Sequence, residues 1–211
     1  MHKQFKNLFV STHPLILDKL AKLRSENCPY YEFRQLLEEI SVFLFYEAST
    51  ELAVENDETV TPLAKTEVSK LRREILLVPI LRAGPGMLNG VLKILPDSRV
   101  GMVGVYRDED SLRPVDYYNN VPKNLNDFDI FLLDPMLATG GSAKFAIDSL
   151  KKVGAEKTTM VSIIVAPEEV EHISKHYPSL KICTAALDQK LNSDAYIVPG
   201  LGDAGDRYFG T

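Results

Sequence analysis

The sequence predicts an α/β fold, with an open, mainly parallel sheet flanked by helices and an N-terminal helical extension ahead of it. Three observations carry that expectation. Short, continuously apolar stretches recur from residue 75 onward, helical stripes separate several of them, and an amphipathic stripe precedes them all. Strands that are apolar on both faces belong to parallel sheets covered by helices. Strand alternating with helix marks the open α/β class. No repeat or Gly/Ser linker divides the 211 residues. A single domain over 1–211 is therefore expected, with 1–50 as the extension and 75–211 as the core sheet and its ligand-binding end.

Taken in order, Leu15, Ile16, Leu20 and Leu23 predict a first short helix with Pro14 near its start. Phe33, Leu36, Leu37, Ile40, Phe43 and Leu44 recur at helical spacing and predict a second, with a core-facing stripe. Thr59-Val60-Thr61-Pro62 reads as an edge strand, where Pro is tolerated. Strands are then expected at Ile75–Leu81, Val100–Tyr106, Ile130–Leu133, Met160–Ala166 and Ile182–Ala186. Leu88, Val91, Leu92 and Leu95 form one intervening helix. Ala146, Ile147, Leu150 and Val153 form another, ended by Lys151, Lys152 and Gly154. Pro167-Glu168-Glu169 opens a third, with two acids at its positive end. Residues 107–127 read as a long polar loop.

Composition narrows the function. The 24 Lys+Arg against 29 Asp+Glu give a net charge of -5, which argues against a general nucleic-acid binder. No stretch approaches the roughly 18 apolar residues of a membrane span. Met1-His2-Lys3-Gln4-Phe5-Lys6 has neither a signal-peptide core nor a myristoylation pattern. Cys28 and Cys183 form no metal or redox motif and are expected as reduced thiols. A cytoplasmic chain follows from these readings. His172 and His176 stand four apart, but the acids and lysine around them make a solvated face. Lys70, Arg72 and Arg73 form a small basic cluster read as surface.

Open α/β sheets bind ligands at the carboxyl ends of their strands. There the most informative segment lies: Ile130–Leu133 runs into Asp134-Pro135-Met136-Leu137-Ala138-Thr139-Gly140-Gly141-Ser142 and then a helix. Small residues at a helix N-terminus offer free N–H groups and a positive dipole end to a phosphate. Thr139 and Ser142 add hydroxyls, and Asp134 can accept from a sugar diol. The blander alternative is an Asx turn with Ser142 as a helix cap.

This nonapeptide resembles the phosphoribosyl diphosphate (PRPP) motif of type I phosphoribosyltransferases, in the form of the uracil phosphoribosyltransferase family. Most type I enzymes carry two adjacent acids there; here Pro135 follows Asp134, as in the uracil branch. The resemblance implies a type I phosphoribosyltransferase-like fold with a C-terminal base-binding loop. It also implies that residues 134–142 bind PRPP. Leu81-Arg82-Ala83-Gly84-Pro85-Gly86 resembles the family's diphosphate loop, with Arg82 on the diphosphate; a surface arginine paired with an acid is the other reading. The segment from Tyr106 resembles a flap whose Arg107 contacts PRPP. Tyr196 to Thr211 resembles the uracil-binding end, where backbone at Ile197, Gly202, Asp203 and Ala204 reads the base and Asp203 faces PRPP. Gly200–Gly205 also fits G-x-G-x-x-G, but no helix of useful length and no second strand can follow it.

By this resemblance the chain makes UMP and diphosphate from uracil and PRPP in pyrimidine salvage, with Arg82, Arg107, Asp134 and Asp203 as catalytic residues. Mg²⁺ is implied, bound mainly through the PRPP diphosphate with no direct protein ligand. A homodimer or homotetramer and a GTP effector are further implications. No membrane or nucleic-acid partner is expected. The rival is a pyrimidine-sensing RNA-binding regulator on the same fold, which salt-dependent RNA binding would reveal.

Overall fold

The computed structural model of the chain describes residues 4–107, 114–138 and 141–211. Strand β1 (Leu8–Val10) comes first, then helices α1 (Pro14–Arg24) and α2 (Tyr30–Ala48). A ribbon of β2 (Val54–Val60) and β3 (Lys65–Leu71) precedes β4 (Glu74–Leu81), α3 (Gly84–Leu92), β5 (Arg99–Val100) and β6 (Met102–Arg107). Next come β7 (Pro114–Asn120), β8 (Phe128–Leu133), β9 (Met136–Leu137) and α4 (Gly141–Lys152). The chain continues through β10 (Thr158–Val165), α5 (Pro167–His176), β11 (Lys181–Leu187), β12 (Lys190–Leu191), β13 (Ile197–Val198) and α6 (Ala204–Phe209).

The main sheet runs β1-β11-β10-β8-β4-β6-β7, with β5 against β4 and β9 against β10. Its pairings are parallel except that of β6 with β7. Alternate side chains of β4 explain its continuous apolarity. Ile75 and Leu77 pack under α1, α2 and α3, while Leu76, Val78 and Ile80 pack with Ala146, Ile147 and Leu150 of α4. Phe131 and Leu133 of β8 join the first core, and Ile130 and Leu132 the second. On the first side α2 lays down Phe33, Leu36, Leu37, Ile40 and Leu44, all buried, with Phe43 half-buried. Its approach to α3 is close: a Cβ on Gly90 would lie 2.3 Å from the Glu38 carbonyl oxygen.

Several expectations are corrected. Leu15 is exposed on α1, since only Ile16, Leu20 and Leu23 face inward. The strand expected at 59–62 is the end of a ribbon separate from the main sheet, and it turns at Thr61, whose N–H and hydroxyl bind the Ala64 carbonyl. The stretch 100–106 is broken at Gly101, where a Cβ would meet Val121 Cγ1 at 2.8 Å. The expected loop 107–127 contains β7, antiparallel to β6; residues 117–120 are exposed, so no alternation betrays the strand. The N-terminal extension begins with a strand, β1, too short to leave a pattern.

Both cysteines are free, and burial pushes the Cys183 thiol up to about 12. His172 and His176 stack at 4.3 Å between ring centroids, and His176 Nδ1 lies 2.8 Å from the His172 carbonyl oxygen. Lys70 pairs with Glu55 and Asp57 across the ribbon. No helix among the described residues is long and apolar enough to cross a membrane.

Candidate active site

Neighbouring strands β4 and β8 send their following helices to opposite faces of the sheet: α3 joins the first core and α4 the second. A crevice opens at such a switch point, beyond the carboxyl ends of the strands. A cavity of about 170 Å³ lies there, lined by Ile80, Leu81, Arg82, Ala83, Asp134, Met136, Ser142, Asp203, Ala204 and Gly205.

The turn after β8 is built on the backbone of β10. Asp134 N–H donates to the Val161 carbonyl at 3.2 Å, and Ile163 and Ile164 N–H both donate to the Pro135 carbonyl at 3.0 and 3.1 Å. Ser162 Oγ donates to the Asp134 carbonyl at 2.5 Å. Residues 134–135 are thereby pushed out between β8 and β9, and the Asp134 side chain is presented at the cavity. Met136 N–H reaches its Oδ1 at 3.5 Å. The Asp134 carboxyl is pushed up to about 7, chiefly by burial; the Asp203 carboxylate adds to the rise and the Met136 N–H opposes it.

The turn after β4 places Arg82, which is exposed and reaches Asp206 Oδ1 at 3.4 Å. The Leu81–Arg82 peptide is cis. Gly84 begins α3 in tight quarters, because a Cβ there would lie 2.6 Å from the Leu133 carbonyl oxygen. The turn can thus nest against β8 only without a side chain at 84.

The third wall comes from the C-terminal segment. Asp203 caps α6, its Oδ1 accepting from Asp206 N–H at 2.9 Å. Gly205 sits beside Arg82, with its Cβ position 3.6 Å from Arg82 Nη2. Arg207 donates to the Leu201 and Ser25 carbonyls at 2.8 and 2.6 Å and lies over the Phe33 ring. Arg34 donates to the Tyr208 carbonyl at 2.6 Å and sits between the Tyr30 and Tyr208 rings. Helices α1 and α2 therefore hold this wall in place.

Of the expected site residues, Arg82, Asp134, Met136, Ser142, Asp203 and Ala204 meet at the cavity. Pro135, Leu137, Ala138, Gly141, Ile197 and Gly202 do not line it. Leu137 is buried because it belongs to β9 and faces the second core. Ile197 is buried in the first core and paired with Leu191, while Gly202 lies exposed on the approach to α6. Thr139, Gly140, the Arg107 side chain and residues 108–113 lie outside what is described. Sequence reasoning missed Ile80, Leu81, Ala83 and Gly205 as lining. The end of the apolar run at 81 was the available signal for the first three.

Relatives share this chain over nearly its whole length. A protein of Lactococcus lactis subsp. lactis named uracil phosphoribosyltransferase is 51% identical over 205 residues, covering 96% of this chain and 97% of the relative. One of the same name from Thermoanaerobacter sp. is 46% identical over 208 residues, covering 98% and 99%. The solved AQ2163 protein from Aquifex aeolicus superposes with a TM-score of 0.92 at 35% identity, covering 97% of this chain and 98% of that one. The family profile described as uracil phosphoribosyltransferase matches residues 10–211. With sequence, profile and backbone in agreement from one end of the fold to the other, this chain belongs to the uracil phosphoribosyltransferase family.

Proposed function

We infer that the chain transfers the 5-phosphoribosyl group of PRPP to uracil, giving UMP and diphosphate. The observation that supports this reading most is the meeting of Arg82, Asp134, Ser142 and Asp203 around one cavity at the switch point. The N-terminus of α4, with Ser142, holds the 5′-phosphate through N–H groups and the helix dipole. Asp134 accepts from the ribose hydroxyls and fixes the sugar. Arg82 leaves Asp206 for the diphosphate, where its planar fork suits phosphate oxygens. Arg107 contacts the same group. Backbone of the C-terminal segment, at Ile197, Gly202 and Ala204, reads the uracil carbonyls and ring N–H; a donor placed for a carbonyl opposes the amino group of cytosine.

Loss of diphosphate leaves an oxocarbenium-like ribosyl centre, as in glycoside chemistry. With Asp134 engaged by the ribose hydroxyls rather than by the reacting carbon, positioning and electrostatics supply the rate. Among the described residues no three His, Cys, Asp or Glu side chains gather to hold a metal. The two cavity carboxylates do repel one another, which helps to raise Asp134. That donor set fits a Mg²⁺ carried mainly by the diphosphate, toward which Asp134 and Asp203 would supply the protein's negative charge. When bound, the ion neutralises charge on the leaving group.

A homodimer or homotetramer is the favoured assembly. The β2–β3 ribbon supports it, being exposed along nearly its whole length, whereas a free two-stranded ribbon is marginal in water. Two free thiols suit a reducing, cytoplasmic setting.

The test is the initial rate of UMP formation from uracil and PRPP with Mg²⁺, beside cytosine, hypoxanthine and an EDTA blank. Uracil-selective, metal-dependent turnover is expected. Absence of turnover by folded protein, with or without GTP as the implied effector, overturns the reading, and salt-dependent RNA binding would then favour the regulator.

A further inference from the structure

We propose that Arg24 and Asp188 are positioning residues for the base, fixing through Gly200 the turn that leads into the uracil-reading segment. The proposal rests on the uracil reading above. Neither residue lines the cavity, so both act through the backbone between them and it.

Arg24 ends α1 and reaches the carboxylate that follows β11. Its Nη1 donates to Asp188 Oδ2 at 2.8 Å and its Nη2 to Oδ1 at 2.5 Å, a two-pronged match. The Asp188 side chain is only 4% exposed and that of Arg24 21%. Both charged groups also grip Gly200: Arg24 Nη1 donates to its carbonyl at 2.6 Å, and its N–H donates to Asp188 Oδ2 at 2.9 Å. One glycine therefore has both backbone groups held by one ion pair whose carboxylate is buried. Gly200 has φ +64, and a Cβ there would lie 2.0 Å from the Ile197 carbonyl oxygen. The turn closes too tightly for any side chain.

The next carbonyl, Leu201, is held by Arg207, which also binds the Ser25 carbonyl beside Arg24. Two successive carbonyls are thus tied to the end of α1, and the chain enters Gly202 and Asp203 from a fixed direction. A buried ion pair is a poor source of stability, because desolvation offsets its attraction. What it does supply is a defined geometry, and backbone donors displaced by an ångström lose a bound base.

The experiment uses the full chain with Arg24→Gln, Asp188→Asn and Arg24→Lys. For the first two, a KM for uracil raised about tenfold is expected, with kcat and the KM for PRPP within about twofold. Arg24→Lys keeps the charge and loses the fork, so it recovers part of the uracil KM. A fall in kcat with both KM values unchanged, the mark of a lost folded fraction, overturns the proposal, and so does no change. Amide exchange of the unaltered protein gives a second reading that needs no variant. Strong protection of the Gly200 N–H relative to Gly202 is expected, and equal exchange overturns the clamp. If the unaltered protein fails to turn over uracil, the parent reading fails instead, while Gly200 exchange still reports whether the clamp exists.

Discussion

Two turns serve the same cavity, one placing Asp134 on its wall and the other, through Gly200, leading into the Asp203–Gly205 wall, and they are held in opposite ways. The Asp134 turn rests on main-chain bonds to β10 and needs few particular side chains beyond Ser162. The Gly200 turn lies outside the main sheet and depends on Arg24, 176 residues away, and on the nearby Arg207, which ties Leu201 back across 182 residues to Ser25. A turn cast in backbone survives most substitutions around it. One held by side-chain charges can fail through a residue that never meets the ligand.

The sharpest way to break this contrast is at Asp134 itself. Asp134→Ala should lower kcat/KM for PRPP by about a thousandfold while the melting temperature holds or rises, since the backbone, not the carboxylate, supports the turn. Steady-state kinetics and thermal melts read both sides. A collapse in melting temperature would mean that the side chain was structural after all.

Next comes acidity. Folding raises the Asp134 carboxyl to about 7, so the protonated form is the one the fold prefers. The stability this gives is fully present below the unfolded value near 4 and is lost as pH rises through 7. The loss for the ligand-free protein is on the order of 4 kcal/mol, and Asp134→Asn should remove it. Glu169, pushed up to about 8 by burial, adds a loss of the same sign at slightly higher pH. Denaturant melts from pH 4 to 9, with Glu169→Gln as companion, separate the two. A flat difference between wild type and Asp134→Asn would refute the assignment.

A smaller effect is expected at Ser162, which is wholly buried. Ser162→Ala should cost about 1–2 kcal/mol, with any kinetic change confined to PRPP. Movement of the uracil KM would show that the two turns are coupled rather than separately held. The smallest change is Asp206→Asn. The pair it makes with Arg82 is more than half exposed, so releasing the guanidinium should lower the KM for PRPP by only about twofold. Titration at two salt concentrations tests it, because a surface pair weakens with ionic strength.

The same contrast explains what could be read from sequence. The Asp134 turn follows a strand apolar on both faces and opens a helix, so local pattern exposes it. Arg82 follows for the same reason, standing where the apolar run of β4 stops. The Gly200 clamp leaves no local trace: Arg24 ends an ordinary helix, Asp188 follows an ordinary strand, and each alone reads as a solvated charge. The β2–β3 ribbon and β7 were missed or misplaced on different grounds. Their exposed residues show no alternation of burial, and alternation is the signal by which a half-buried strand is recognised.

The edge strand β1 bears on the order in which the molecule is made. Leu8–Val10 pairs with residues 182–184 of β11, and Asn7 Nδ2 donates to the Leu180 carbonyl at a separation of 173 residues. At synthesis rates of about 5–20 residues per second, the first strand waits roughly 9–35 s for its partner to emerge. Arg24 waits similarly for Asp188. During that interval the apolar stripe of α2 must shelter against unfinished β-structure or a chaperone, and the wall that α1 and α2 hold at the switch-point crevice cannot close before residues 188–207 are made.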